Sequence, residues 1–282
     1  MAEPTFSVIV PTYGRPRFLA EAVASVLAQT EPDLECLVID DASREPVEAP
    51  GDPRVRVLRH RENRGVAEAR NTGLRGARGR IVAFLDDDDL YAPHRLALAR
   101  EGLARAPVTI CWRGNAADAG PVRNRTLEGS VYDTILEAEV PHLGQVSVWR
   151  EAVRPFDGAL TAGEDTEWWL AMSREHPVST VPKVGFMFRR HAGPRHGNTM
   201  AARIRARRDL LDRHAAYFEE RPRAHAYQWM HIGIVARRLG DFRLARAAFA
   251  RSFRIRRDPA MLWHVARSMR PSAPPVLAGP RA

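Results

Sequence analysis

Four consecutive carboxylates, Asp86 to Asp89, follow the short apolar run Ile81 to Leu85. Like charges packed side by side at the end of a buried strand repel, so the arrangement calls for something positive among them. A hard divalent cation such as Mg2+ or Mn2+ answers that need, because it takes carboxylate oxygen and also binds substrate phosphates. A solvated acidic turn with a helix cap is the plainer alternative. A second acidic pair, Glu164-Asp165, follows Gly163 at the start of a predicted helix. A carboxylate there, projecting into a partly desolvated cleft, can strip a proton from a hydroxyl. Acids in a first helical turn also simply suit the dipole. Two further groups qualify by type: Asp40-Asp41, and Arg70 within Ala69-Arg70-Asn71.

Alternating elements must hold these residues. Phe6–Val10 is β-branched and apolar and ends at Pro11, which predicts a buried strand. Leu19, Val23, Val26 and Leu27 recur at helical spacing, predicting an amphipathic helix over 16–29. Leu34–Ile39, Val55–Leu58 and Ile81–Leu85 predict three more strands, and Ala67–Arg75 a second helix. This alternation implies parallel βαβ units layered as an α/β fold. Thr12-Tyr13-Gly14, Asp40-Asp41 and Asp86–Asp89 all follow strands. Open α/β sheets bind ligands at those carboxyl ends, so the placement predicts one site built from three loops. Residues 107–160 read as mixed strands and loops, 164–176 as a helix, and 178–188 as strands. An Arg-rich helix is predicted over 201–218, a helical hairpin over 227–268 broken at Leu239-Gly240-Asp241, and a disordered Pro-rich tail from 271.

FSVIVPTYGRPRFLAEAVASVLAQT, CLVIDDAS, NRGVAEARNTGLRGARGRIVAFLDDDDLYAPHRL and GEDTEWWLA occur in the order seen in family 2 glycosyltransferases. The chain resembles that family over roughly residues 5 to 200. The resemblance implies a GT-A fold, a nucleotide-binding α/β sandwich with a mostly parallel sheet. It also implies inverting transfer of a sugar from a nucleoside diphosphate donor to an acceptor hydroxyl, assisted by Mn2+ or Mg2+. By the same resemblance, Pro11, Thr12 and Tyr13 pack around a nucleobase, Asp40 recognises its edge with help from Asp41, and Arg70 lies near base or phosphate. The structural alternative for Arg70 is a salt bridge to Asp40 or Asp41. Asp86 faces the ribose, Asp87 is the most solvated of the four, Asp88 is the metal ligand, and Asp89 supports the site or caps a helix. The register of that run is open by one residue. Asp165 is the expected base, with Glu164 as its alternate. His191 is the expected second metal ligand, His196 competes with it, and Arg189-Arg190 would hold phosphate.

Composition bounds the rest. At 282 residues, 45% hydrophobic and 27% charged, the chain has ample material for a core. No apolar stretch reaches the length of a membrane span, and the opening residues lack a signal-peptide pattern. Cys36 and Cys111 sit in apolar contexts, which fits a reducing cytosol. Residues 1–200 hold 25 basic and 28 acidic side chains, but 201–282 hold 18 and 6. The net charge of +9 therefore belongs to the C-terminal segment. Compositional bias toward arginine explains it, or contact with an anionic membrane, as at the inner face of a cell membrane, or with an acidic partner. Gly233, Leu239-Gly240-Asp241-Phe242, Ala245 and Phe249 follow the spacing of one tetratricopeptide-type hairpin. A single repeat cannot bury its own face, so residues 201–270 are expected to dock on the catalytic domain or to form a homodimer contact. No nucleic-acid motif is present. A dehydrogenase would need G-x-G-x-x-G after the first strand, and a nucleotidyltransferase a Gly-rich basic loop; neither is present. A non-catalytic nucleotide- or partner-binding relative is the remaining rival. UDP is the default donor nucleotide, and the acceptor is a glycan, a lipid-linked intermediate or a small molecule.

Overall fold

The computed structural model describes residues 3–48, 50–116, 122, 124–190, 199–259, 262–264 and 266. His191, His196 and the tail from 271 lie outside them. The chain divides into two compact units, Met1–Ile135 with Glu139–His196, and Leu136–Ala138 with Gly197–Ala282.

The first unit is a sheet covered by helices. Among the described residues its strands are β1 (Phe6–Thr12), β2 (Leu34–Asp40), β3 (Val55–Arg59), β4 (Ile81–Phe84), β5 (Leu90–Tyr91), β6 (Val108–Asn115), β7 (Val146–Trp149) and β8 (Val178–Phe188), in spatial order 3-2-1-4-7-6-8-5. β1, β2 and β4 are buried at every position, which is why they read as unbroken apolar runs rather than alternating ones. β1 pairs parallel with β2 and β4, and β2 with β3; a helix connects β1 to β2 and β3 to β4, while a loop joins β2 to β3. Beyond β4 the sheet is mixed: β7 runs antiparallel to β4 and β6, while β6 and β8 are parallel. The parallel half thus matches the expected α/β alternation, and residues 107–160 supply the antiparallel insertion.

Helix α1 (Pro16–Leu27) buries Leu19, Ala22, Val23 and Val26. Helix α2 (Val66–Gly76) lies close on β1, because a Cβ at Gly73 would meet the Ile9 side chain at 2.4 Å. Helix α3 (Arg95–Leu103) and helix α4 (Glu164–Glu175) complete the unit. Cys36 and Cys111 are free and buried in this core.

The second unit is helical. The Arg-rich segment is two helices, α5 (Met200–Arg213) and α6 (Ala215–Glu220), because the backbone of His214 leaves the helical region (φ −115°, ψ 35°). The hairpin begins earlier than its periodicity implied: α7 spans Pro222–Arg238, with proline in its first turn, and α8 spans Phe242–Arg256. Gly240 turns the chain at φ +81°, and the Asp241 side chain caps α8 by accepting from the Leu244 N–H at 2.9 Å. A Cβ at Gly233 would sit 2.6 Å from the Phe249 ring, and the Ser252 hydroxyl donates to the Ala226 carbonyl, so the two helices pack tightly along their length. Among the described residues no helix is long and apolar enough to cross a membrane.

Candidate active site

Leu85 still bonds to β1 through its N–H to the Ile9 carbonyl, and the chain then turns, with the Asp89 N–H bonding to the Asp86 carbonyl at 3.1 Å. The Tyr91 hydroxyl pins the Phe84 carbonyl just ahead of the turn at 2.6 Å. A turn fans four successive side chains outward, and each is met by a donor, Asp87 and Asp88 sharing Arg15. Asp86 accepts from Arg70 at 2.9 Å. Asp87 accepts from the Thr12 hydroxyl at 2.7 Å and from Arg15 at 3.1 Å. Asp88 accepts from Arg15 at 2.8 Å. Asp89, fully buried, accepts from the Arg189 N–H at 2.8 Å. Asp87 is buried rather than solvated, and burial together with its two acidic neighbours pushes it up to about 6 despite Thr12 and Arg15.

Arg70 joins this turn to α4. Its side chain is 3% exposed, and one guanidinium binds Asp86, Glu164 (3.1 Å) and Asp165 (3.0 Å). Neither Asp40 nor Asp41 is its partner. Gly163 starts α4 in a left-handed conformation (φ +80°), which aims the first two helical side chains at the Arg70 guanidinium. Beneath lies an aromatic floor: the Phe156 ring stacks on Trp168 at 5.4 Å, Phe84 meets both edge-on, and the guanidinium sits 5.4 Å above Phe156. Burial raises Glu164, and the charge of Asp165 adds to it, up to about 7. Burial and the charge of Asp86 also raise Asp165, against the pull of Arg70. The two acids also interact with each other directly, beside the same guanidinium. Next to Arg70, the Asn71 amide donates to the Phe156 carbonyl at 2.9 Å and accepts from the Phe156 N–H at 2.8 Å, tying the loop before α4 to α2.

The acids after β2 are committed elsewhere. Asp40 is fully buried; it accepts from the Ser43 N–H at 2.9 Å and from Arg59 at 2.6 Å. Burial works to raise it, but Ser43, Val47 and Arg59 hold it below the usual carboxylate range. Asp41 accepts from the N–H groups of Arg64 and Gly65, both at 2.8 Å, and contacts His60 at 2.7 Å. It therefore shapes the loop that leads into α2. Pro11 and Thr12 are buried at the end of β1, and Tyr13 is 39% exposed beside them.

One further residue enters the cluster. His142 Nε2 lies 3.6 Å from Asp86 and 3.9 Å from Asp89, with its ring stacked on Phe186 at 4.9 Å. Asp86, Asp89 and His142 each offer a ligand atom, all within 4.8 Å of one another. Two carboxylates and an imidazole make a donor set for a divalent cation. Burial, followed by Arg70 and Arg113, lowers His142 and favours the neutral ring a ligand must have. Nδ1 accepts from the Gly144 N–H at 3.3 Å, so the proton of that neutral ring resides on Nε2. The carboxylates fit a cation directly; His142 as bonded here faces them with its Nε2–H and would join a cation only by giving up the Gly144 bond. The sequence holds one legible sign of His142, a capping box with Gln145. Arg15 gave none, because its partners lie more than 70 positions away.

A family model described as glycosyl transferase family 2 matches residues 7–147, half of the chain. The chain belongs to glycosyl transferase family 2. An uncharacterized glycosyltransferase of Rickettsia felis is 28% identical over 194 residues, 63% of this chain and 31% of that protein, so the chain spans about a third of that relative. The Escherichia coli glucosyltransferase WfgD, named for transfer from UDP-Glc to α-D-GlcNAc-diphosphoundecaprenol, is 28% identical over 186 residues, 62% of this chain and 72% of that one. Among solved structures, Staphylococcus aureus TarS 1–349 in complex with UDP-GlcNAc matches with a TM-score of 0.60 at 18% identity, covering 86% of this chain and 90% of that one. The Pyrobaculum calidifontis mannosyltransferase PcManGT, in complex with GDP-Man and Mn2+, matches at 0.61 and 22%, covering 95% and 80%. These likenesses carry the fold, which is the GT-A fold of the family.

Proposed function

We propose that this family 2 member transfers a sugar from a nucleoside diphosphate donor, with UDP favoured, to an acceptor hydroxyl with inversion at the anomeric carbon. The observation that carries it is the Arg70 hub, which gathers Asp86 from the strand end and the Glu164-Asp165 pair from α4 around one guanidinium. Asp165 is the base. It is the more accessible of the pair, at 31% side-chain exposure against 13% for Glu164. The raised Glu164 lies beside it, and Arg70 keeps the Asp165 oxygen aimed. A single displacement then needs no enzyme nucleophile. Asp86 and Asp89, with His142, would hold a divalent cation, which supplies charge neutralisation at the departing diphosphate. Asp88 can contribute only after Arg15 lets go of it. Tyr13, exposed at the end of β1, is the aromatic surface available to a base, while Asp40 supports the loop that carries it. The GlcNAc-diphosphoundecaprenol acceptor of one relative makes a lipid-linked glycan the favoured acceptor.

Asp165→Asn tests the reading. Transfer from UDP-GlcNAc, or another nucleotide sugar that a donor screen selects, should fall by roughly 100- to 10,000-fold. Calorimetric binding of UDP with Mn2+ should stay within about twofold. Loss of nucleotide binding would make Asp165 a ligand rather than a base.

A further inference from the structure

The helical unit is strongly basic, and one face of α8 carries a row of its exposed arginines. Residues 199–259 hold 15 arginines and 6 acids. Along α8 the buried positions are Ala245, Ala248, Phe249 and Ser252. On the opposite side Arg243, Arg246, Arg251 and Arg254 are all exposed, at spacings of three, five and three that keep them on one half of the helix. No acid interrupts this row; Asp241 and Asp258 flank the helix ends. Just beyond α8, Leu262 and Trp263 are 53% and 55% exposed. Their neighbour His264 stacks on Phe249 at 5.1 Å, so this segment packs on the hairpin while its two large apolar side chains stay outside.

We propose that this face binds an anionic lipid bilayer. A row of guanidinium groups is drawn to a negatively charged membrane surface, each adding about fivefold to partitioning. Exposed Trp and Leu in the segment that follows α8 add apolar side chains that enter the headgroup boundary, where an amphipathic ring is favourably placed. Charge alone would suit a nucleic acid equally; the exposed leucine gains nothing there but does gain in a bilayer. The proposal stands apart from sugar transfer, since membrane binding requires neither donor nor acceptor.

The test is sedimentation of the full chain with vesicles. Retention is expected on phosphatidylcholine vesicles containing phosphatidylglycerol, with little on phosphatidylcholine alone, and it should fade as salt rises. The triple variant Arg243→Gln, Arg246→Gln, Arg254→Gln should weaken partitioning about 100-fold with an unchanged circular dichroism spectrum. Trp263→Ser should weaken it several-fold and abolish the blue shift of tryptophan emission on binding. Equal retention on both vesicle types, no retention on either, or tighter binding to a DNA or RNA oligonucleotide than to anionic vesicles at the same salt would each overturn the proposal.

Discussion

In the sheet unit Arg70 is almost wholly buried and touches three carboxylates, whereas in the helical unit Arg243, Arg246 and Arg254 lie on the surface of α8 above alanines and Phe249. The same side chain does different physical work in each place. Inside, removing the cation strands its partners in a poorly solvating environment, so position is dictated by several groups at once. Outside, water solvates the charge whether or not the helix forms, and folding depends instead on the small residues beneath. Burial ties Arg70 to several partners at once, and exposure leaves the α8 arginines without that constraint.

The sharpest way to break the comparison is Arg70→Leu. It leaves Asp86, Glu164 and Asp165 together without their cation, and chemical denaturation should report a loss of about 3–5 kcal/mol. Each single Arg→Gln change on the α8 face should stay within about 0.5 kcal/mol. Comparable losses from the two sets would erase the distinction. A second measurement follows from Glu164. Its pKa rises from the ordinary 4.5 to about 7, so the folded chain keeps a proton that the unfolded chain releases. The resulting stabilisation is complete below pH 4.5 and is lost as pH climbs through 7, by up to about 3 kcal/mol. Thermal unfolding across that window should therefore show a downward slope with pH that Glu164→Gln flattens; an unchanged slope would mean that another acid carries the proton. The packing of the helical unit gives a further test. Gly233→Ala pushes a methyl group into the Phe249 ring and should cost about 1–3 kcal/mol. A neutral result would show that α7 and α8 separate easily.

The parallel strands were legible because full burial makes them continuous apolar runs, and their carboxyl ends carried the polar residues. β7 was not, since its pairing with β4 and β6 is antiparallel and nothing local announces it. The four-acid run was visible as an electrostatic problem, but its counter-charges were not. Arg15 and Arg70 meet it across 72 and 16 positions, and Arg70 reaches Asp165 across 95. Strand and helix periodicity carries no signal at such separations. The same blindness affected Asp40, whose bonds to Ser43 and Arg59 emerge only once the loop is folded. His142 was not singled out, because the acids it faces come from a distant turn.

Arg70 and Asn71 are neighbours on a single turn of α2, one clamping the acids and the other stapling the Phe156 backbone through paired amide bonds. Any roll or slide of that helix would carry the counter-ion and the loop feeding α4 by the same amount. One short stretch of α2 thus anchors both the guanidinium that holds the α4 acids and the backbone that leads into them.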